Sequence, residues 1–259
     1  MTLLRAFPEN EPTKKRFVTE MVQWSAKAGE YPNGDPDLHH VAGTLYAEGN
    51  ASLPELLLAT DLAGGLTLFA TFSDIEPYDA ERHLTLGTKD SPEVLARLEY
   101  DWYIQDDSHT AAQYCARCVF PYLPTSNLRS ANKAYLIFTS RLSSSNKSLM
   151  VQEVSSTSSD MRIYPSLPLL NFLGLLLLAV QRGSSDLFKQ LAKHYAPYLK
   201  EASGWNEPLA TIGELYFGIK IPRQGNPLFD MMGSMMGFGG NARPKSPRPK
   251  QMPPTEGLD

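Results

Sequence analysis

The stretch that decides the fold is Leu167-Pro-Leu-Leu-Asn-Phe-Leu-Gly-Leu-Leu-Leu-Leu-Ala-Val180. It is the most apolar run of the chain, yet it is only 14 residues long and contains Asn171 and Gly174. A membrane-spanning helix needs about 20 apolar residues. A helix that is apolar all round but too short to span a bilayer must bury most of its faces against other protein. The remaining sequence has to supply those surroundings.

Helices supply them. Thr13 to Ala28 places Phe17, Met21, Trp24 and Ala28 at helical spacing, facing inward, and stops at Gly29. Asp35-Pro36-Asp37 reads as an N-cap, a proline in the first turn and an early acid, opening a helix with Leu38, Val41, Ala42 and Leu45 inward and ending near Gly49. Pro77 to Leu86 is stopped by Gly87, and Ser91-Pro92-Glu93 caps a helix running through Leu95, Leu98 and Trp102. Thr110 to Tyr122, Asn127 to Leu142, Pro168 to Gln181, Asp186 to Tyr195 and Pro208 to Phe217 continue the series. Antiparallel helical hairpins stacked on one another make an α-solenoid, so the expected class is all-α and tetratricopeptide-like, although no strict repeat motif survives.

One segment departs from helical periodicity. Leu149 to Val154 and Met161 to Tyr164 flank a Ser/Thr-rich stretch and predict a β-hairpin over 149–164. A lone two-stranded hairpin is marginal in water, so it has to lie against the helices or against a partner. Beyond Pro222 the composition changes: residues 223–259 hold six Pro and six Gly and predict a disordered Met/Gly/Pro-rich tail, leaving 1–222 as the folded unit.

Composition narrows the function classes. With 42% apolar residues and a net charge of −4 whose acidic excess lies in the body, the chain has a core and no basic footprint for nucleic acid. Met1 to Arg5 lacks the basic start and apolar stretch of a secretory signal, and two cysteines do not make a disulfide framework; a reducing cytosol is the expected compartment.

No catalytic or cofactor motif emerges. The histidines His39, His40, His83, His109 and His194 lack the spacing that puts two metal ligands on one helix face. Cys115-Ala-Arg-Cys118 is a lone pair within a helical pattern, best read as two small core fillers. Neither a nucleophile elbow nor a phosphate-binding loop is present. The chain reads as a non-enzyme without cofactor or metal. His39-His40 admits a pH-sensing reading, but adjacent residues on a helix diverge by about 100°, so one packs inward and the other faces out.

Five segments in order resemble one family. They are Phe17 to Ser25, Gly34-Asp-Pro-Asp-Leu-His-His40, Ala80-Glu-Arg-His-Leu84, Pro168 to Ala179 and Ile212-Gly-Glu-Leu-Tyr-Phe-Gly218, with a Met/Gly segment, Leu228 to Gly240, behind them. The family is the Get-four family, the scaffold subunit of the pathway for guided entry of tail-anchored proteins into the endoplasmic reticulum membrane. The resemblance implies a non-catalytic scaffold that holds the N-terminal segment of the ubiquitin-like subunit, Get-five, which in turn recruits a co-chaperone. It implies too that the chain lacks the family's N-terminal arm, where contact with the pathway's targeting ATPase largely lies. Asn50 to Ile75 interrupts what is a near-direct helix-to-helix connection in the family, and reads either as a non-native insertion or as an extra helix.

The expected partner-binding residues are Val151, Val154, Met161 and Ile163 in the hairpin, and Leu169, Leu170, Phe172, Leu173, Tyr216 and Phe217 in the last helices. Val151 and Ile163 are the expected test pair. For the leucines of the apolar helix, ordinary core packing is the competing reading. A helical-repeat scaffold of another multi-protein complex is the alternative function.

Overall fold

The computed structural model describes residues 12–48, 76–106, 110–156 and 159–219. The expectations for 50–75 and 223–259 lie outside these residues. Ten α-helices and one two-stranded sheet make up the described part: α1 Pro12–Ala28, α2 Pro36–Glu48, α3 Pro77–Thr85, α4 Ser91–Tyr103, α5 Ala111–Val119, α6 Leu128–Ser145, β1 Gln152–Ser156, β2 Ser159–Ile163, α7 Pro168–Arg182, α8 Ser185–His194, α9 Ala196–Glu201 and α10 Asn206–Phe217. Each helix packs on the next, α1 on α2 through to α8 on α9, and alternate helices pack side by side, α2 with α4, α4 with α6 and α5 with α7. This is the stacking of an α-solenoid.

Local chemistry places the ends. Asp35 Oδ1 accepts from Asp37 N–H at 2.8 Å to start α2, Asn127 Oδ1 accepts from Ser130 N–H at 3.1 Å to start α6, and Ser184 Oγ accepts from Leu187 N–H to start α8. Gly183 (φ +61°) and Gly218 (φ +64°) end α7 and α10 in the left-handed conformation, with Ser184 N–H reaching Ala179 O and Ile219 N–H reaching Gly213 O. Inside α2, Gly43 lets α3 come close: a Cβ there would lie 2.6 Å from Leu84 Cγ.

The apolar run behaves as a buried helix should. Leu170, Phe172, Leu173 and Leu176 have no exposed surface, and α7 touches α5, α6, α8, α9 and β2. Among the described residues no helix is long and apolar enough to cross a membrane. Cys115 and Cys118 are free thiols sealed in the core, and Cys118 donates to Cys115 O at 3.1 Å. The final helix is stapled far back along the chain: Tyr216 Oη donates to Leu123 O at 2.7 Å, and the Trp205 ring meets Phe120 edge to face at 5.2 Å.

Four local readings change. On α1 Phe17 and Met21 pack half-buried against the core as expected, but Trp24 is 69% exposed and the buried positions are Lys14, Val18 and Ser25; Ser25 Oγ donates to Val22 O and accepts from Asp35 N–H where the chain turns toward α2. Ser91 does not cap α4 but lies inside it, buried, where its hydroxyl meets His40 Nδ1 at 2.9 Å. His40 is therefore engaged between helices rather than turned outward. The segment after Tyr195, which helical periodicity does not mark, forms α9 with Pro197 in its first turn.

Candidate partner-binding surface

The hairpin spans Gln152 to Ile163 rather than the predicted 149–164. Asn146 Oδ1 accepts from Ser148 N–H and draws Lys147–Leu149 into a 3-10 turn, and Met150 follows in the left-handed region at φ +45°. The strands pair antiparallel with Gln152 opposite Ile163, Glu153 opposite Arg162 and Val154 opposite Met161. Successive side chains alternate between the two faces of a strand, so Gln152, Val154 and Ile163 share one face and Glu153 and Arg162 the other.

On the second face Arg162 is turned to the helices, while the Glu153 side chain is 75% exposed. Arg162 Nη1 donates to Ser140 Oγ on α6 at 2.8 Å, and Arg162 Nε lies 3.5 Å from Glu153 Oε1. Tyr164, two residues on and on the same side, is wholly buried, and its hydroxyl meets Ser143 Oγ at 3.0 Å. The backbone of Tyr164 is held by α7: its N–H donates to Asn171 Oδ1 and its carbonyl accepts from Asn171 Nδ2, both at 2.8 Å. Arg162, Tyr164 and Asn171 together tie β2 to α6 and α7. Val154 is 48% exposed, Ile163 is half-buried, and the neighbouring Met150 is 75% exposed.

The remaining expected site residues divide. Val151 is half-buried and packs on the core. Leu170, Phe172 and Leu173 are core, as the competing reading had it, and Leu169 is half-buried against that core. Tyr216 and Phe217 are half-buried on α10, with Phe217 stacked on Phe188 at 4.7 Å. Met150, inside the predicted hairpin span, stands in the turn before the strand.

No group of three or more potential metal ligands occurs among the described residues. His39 is buried and is occupied by neighbours, its Nδ1 at 3.0 Å from His83 Nδ1 and its Nε2 at 3.0 Å from Asn33 O.

A profile of the family described as Golgi to ER traffic protein 4 matches residues 1–236. Golgi to ER traffic protein 4 of Aspergillus fumigatus is 57% identical over 249 residues, covering 96% of this chain and 64% of that protein. The Schizosaccharomyces pombe protein of the same name is 29% identical over 236 residues, covering 91% and 67%. The crystal structure of C. therm. Get4 superposes with a TM-score of 0.72 at 52% identity, over 95% of this chain and 70% of that one. The chain thus spans about two thirds of the length of the curated relatives it matches. The five-segment resemblance and the solenoid are both borne out, and the chain belongs to the Golgi to ER traffic protein 4 family.

Proposed function

We propose that the protein is a non-catalytic cytosolic scaffold of the tail-anchored protein pathway, and that it holds the N-terminal segment of the ubiquitin-like Get-five subunit on the outward face of its β-hairpin. Family membership supports a role in Golgi-to-ER traffic. The observation that carries the partner surface is the exposure of apolar side chains at the hairpin: Met150 and Val154 stand in solvent beside the half-buried Ile163, while Arg162 is engaged with α6. Covering them contributes about 25 cal/mol per Å² of apolar surface, before the cost of association. In this reading the Get-five subunit then brings the co-chaperone that delivers tail-anchored clients.

The experiment is a pull-down of the full chain with the N-terminal segment of the ubiquitin-like subunit. Val154→Asp combined with Ile163→Asp is expected to abolish capture and leave the helical circular dichroism intact. Retained capture overturns the site. Recovery from cells of a different complex, without the ubiquitin-like subunit, would favour the alternative of a scaffold in another assembly.

A further inference from the structure

A pocket of about 510 Å³ opens where α3, α4 and α5 meet the turn 201–205 between α9 and α10. No hairpin residue lines it, so its occupant is independent of the Get-five surface. Tyr78, Trp102, Tyr114 and Trp205 form aromatic walls. The Arg117 guanidinium lies in one wall, 5.0 Å from the Tyr78 ring centre and 4.7 Å from that of Trp102, so these rings already accommodate a planar cation.

The charge of Arg117 is answered within the protein. Its Nε and Nη2 both pair with Glu81, and Nε also lies 3.2 Å from Glu99 Oε2. Glu99 is wholly buried, and burial, with Glu81 beside it, pushes its carboxyl up to about 10. It therefore carries a proton at neutral pH and adds no charge. Arg117 and Glu81 cancel, which leaves the carboxylates of Asp106 and Glu201 as the net charge of the pocket lining. The wall also holds the Gln113 carboxamide, whose Oε1 is buried without a hydrogen-bond partner.

We propose that this pocket receives a basic side chain, arginine or lysine, presented by a partner protein, with the aromatic walls along its stem and Asp106 and Glu201 around its charged head. Charge complementarity selects this occupant. An acidic side chain would meet two like charges, and a purely apolar one would strip water from two carboxylates without replacing it. Phosphate-rich nucleic acid is repelled by the same pair.

The chain's three tryptophans make the test internally controlled, because Trp102 and Trp205 line the pocket and Trp24 lies on α1. The full chain, labelled with ¹⁵N at the indoles, is titrated with the capped tripeptide Gly-Arg-Gly, its lysine counterpart and its citrulline counterpart, which keeps the shape of arginine without the charge. Saturable shifts are expected at Trp102 and Trp205 and not at Trp24 with the arginine and lysine peptides, and binding of the citrulline peptide is expected to be about tenfold weaker. Glu201→Gln, on an exposed residue, and Asp106→Asn, which still accepts the Tyr114 hydroxyl, are each expected to weaken binding by at least about threefold. The proposal is overturned if no saturable shift appears at Trp102 or Trp205, if citrulline binds as well as arginine, or if neither variant changes the affinity.

Discussion

Asn171 holds Tyr164 as a neighbouring strand would. Its side-chain carboxamide accepts from the Tyr164 N–H and donates to the Tyr164 carbonyl, each at 2.8 Å, so a helix closes the end of a β-ladder with a side chain instead of a backbone. The one polar residue in the middle of the apolar run is thus a clamp on the hairpin. Asn171→Leu keeps the volume and removes both bonds. The expected result is a stability loss of about 1–3 kcal/mol, with hydrogen exchange at the Tyr164 amide accelerated far more than at amides within α4. Unchanged protection at Tyr164 would refute the clamp.

The His39–His83 contact makes stability depend on pH in a defined direction. Burial, then the neighbouring His39 and Arg82, push His83 down to about 4 from the ordinary value near 6.5, opposed by Asp79. A histidine held neutral in the fold binds fewer protons than the unfolded chain does between those values. Its contribution is therefore complete above about pH 6.5 and is lost as pH falls toward 4. Two protonated Nδ1 atoms facing each other at 3.0 Å would each point a hydrogen at the other. Denaturant midpoints of His83→Gln measured from pH 7.5 to 4.5 are expected to fall less than those of the parent, by up to about 2 kcal/mol at the acid end. Parallel profiles would sink this account.

Glu99 works in the opposite sense. Its carboxyl, raised by burial and by Glu81, stays protonated in the fold while the unfolded chain releases the proton. That contribution is complete below about pH 4.5 and is lost as pH rises toward 10. Glu99→Gln keeps the shape and removes the proton requirement, so it is expected to stabilise the protein at pH 7 by about 1–3 kcal/mol. Arg117→Met, which leaves Glu81 and Glu99 facing each other without a cation, is expected to destabilise by about 3–5 kcal/mol. Thermal melts of both variants at pH 7 check the pair of signs.

Gly43 tests the closeness of α2 and α3. Alanine is the better helix former by up to about 1 kcal/mol, yet its Cβ would sit 2.6 Å from Leu84 Cγ and 3.0 Å from Leu84 N. Leu84 is fully buried and has no room to retreat. Gly43→Ala is expected to lower stability by about 1–3 kcal/mol, whereas Gly204, with nothing within 4 Å of a Cβ, tolerates the same change. A neutral Gly43→Ala would show that the helices separate at little cost.

Much of the solenoid was legible because its punctuation is local. Prolines in first turns, Asp35 as a cap, and Gly29 and Gly87 as stops act within a few residues of themselves. What stayed hidden depends on distant partners. Helical spacing on α1 puts Phe17, Met21 and Trp24 on one stripe; the first two do pack on the core, but the burial of Ser25 and exposure of Trp24 go with the bond from Asp35 N–H, ten residues on, to the Ser25 hydroxyl. Alternation in the hairpin was readable, but the turning of Arg162 and Tyr164 to α6 depends on Ser140 and Ser143 there. The partner of His39 lies 44 residues away at His83, beyond any pattern within one helix.

The Tyr216–Leu123 bond joins residues 93 positions apart. A ribosome adds about 5–20 residues per second, so the Leu123 carbonyl waits roughly 5–20 s during synthesis for the hydroxyl that covers it. For most of that interval α5 is complete while Trp205, which seals Phe120, has yet to be added. The newborn chain passes through a stage in which a half-built helical stack presents an open aromatic end. A chaperone that shields the Phe120–Leu123 corner during translation would serve this protein at the moment of its greatest exposure.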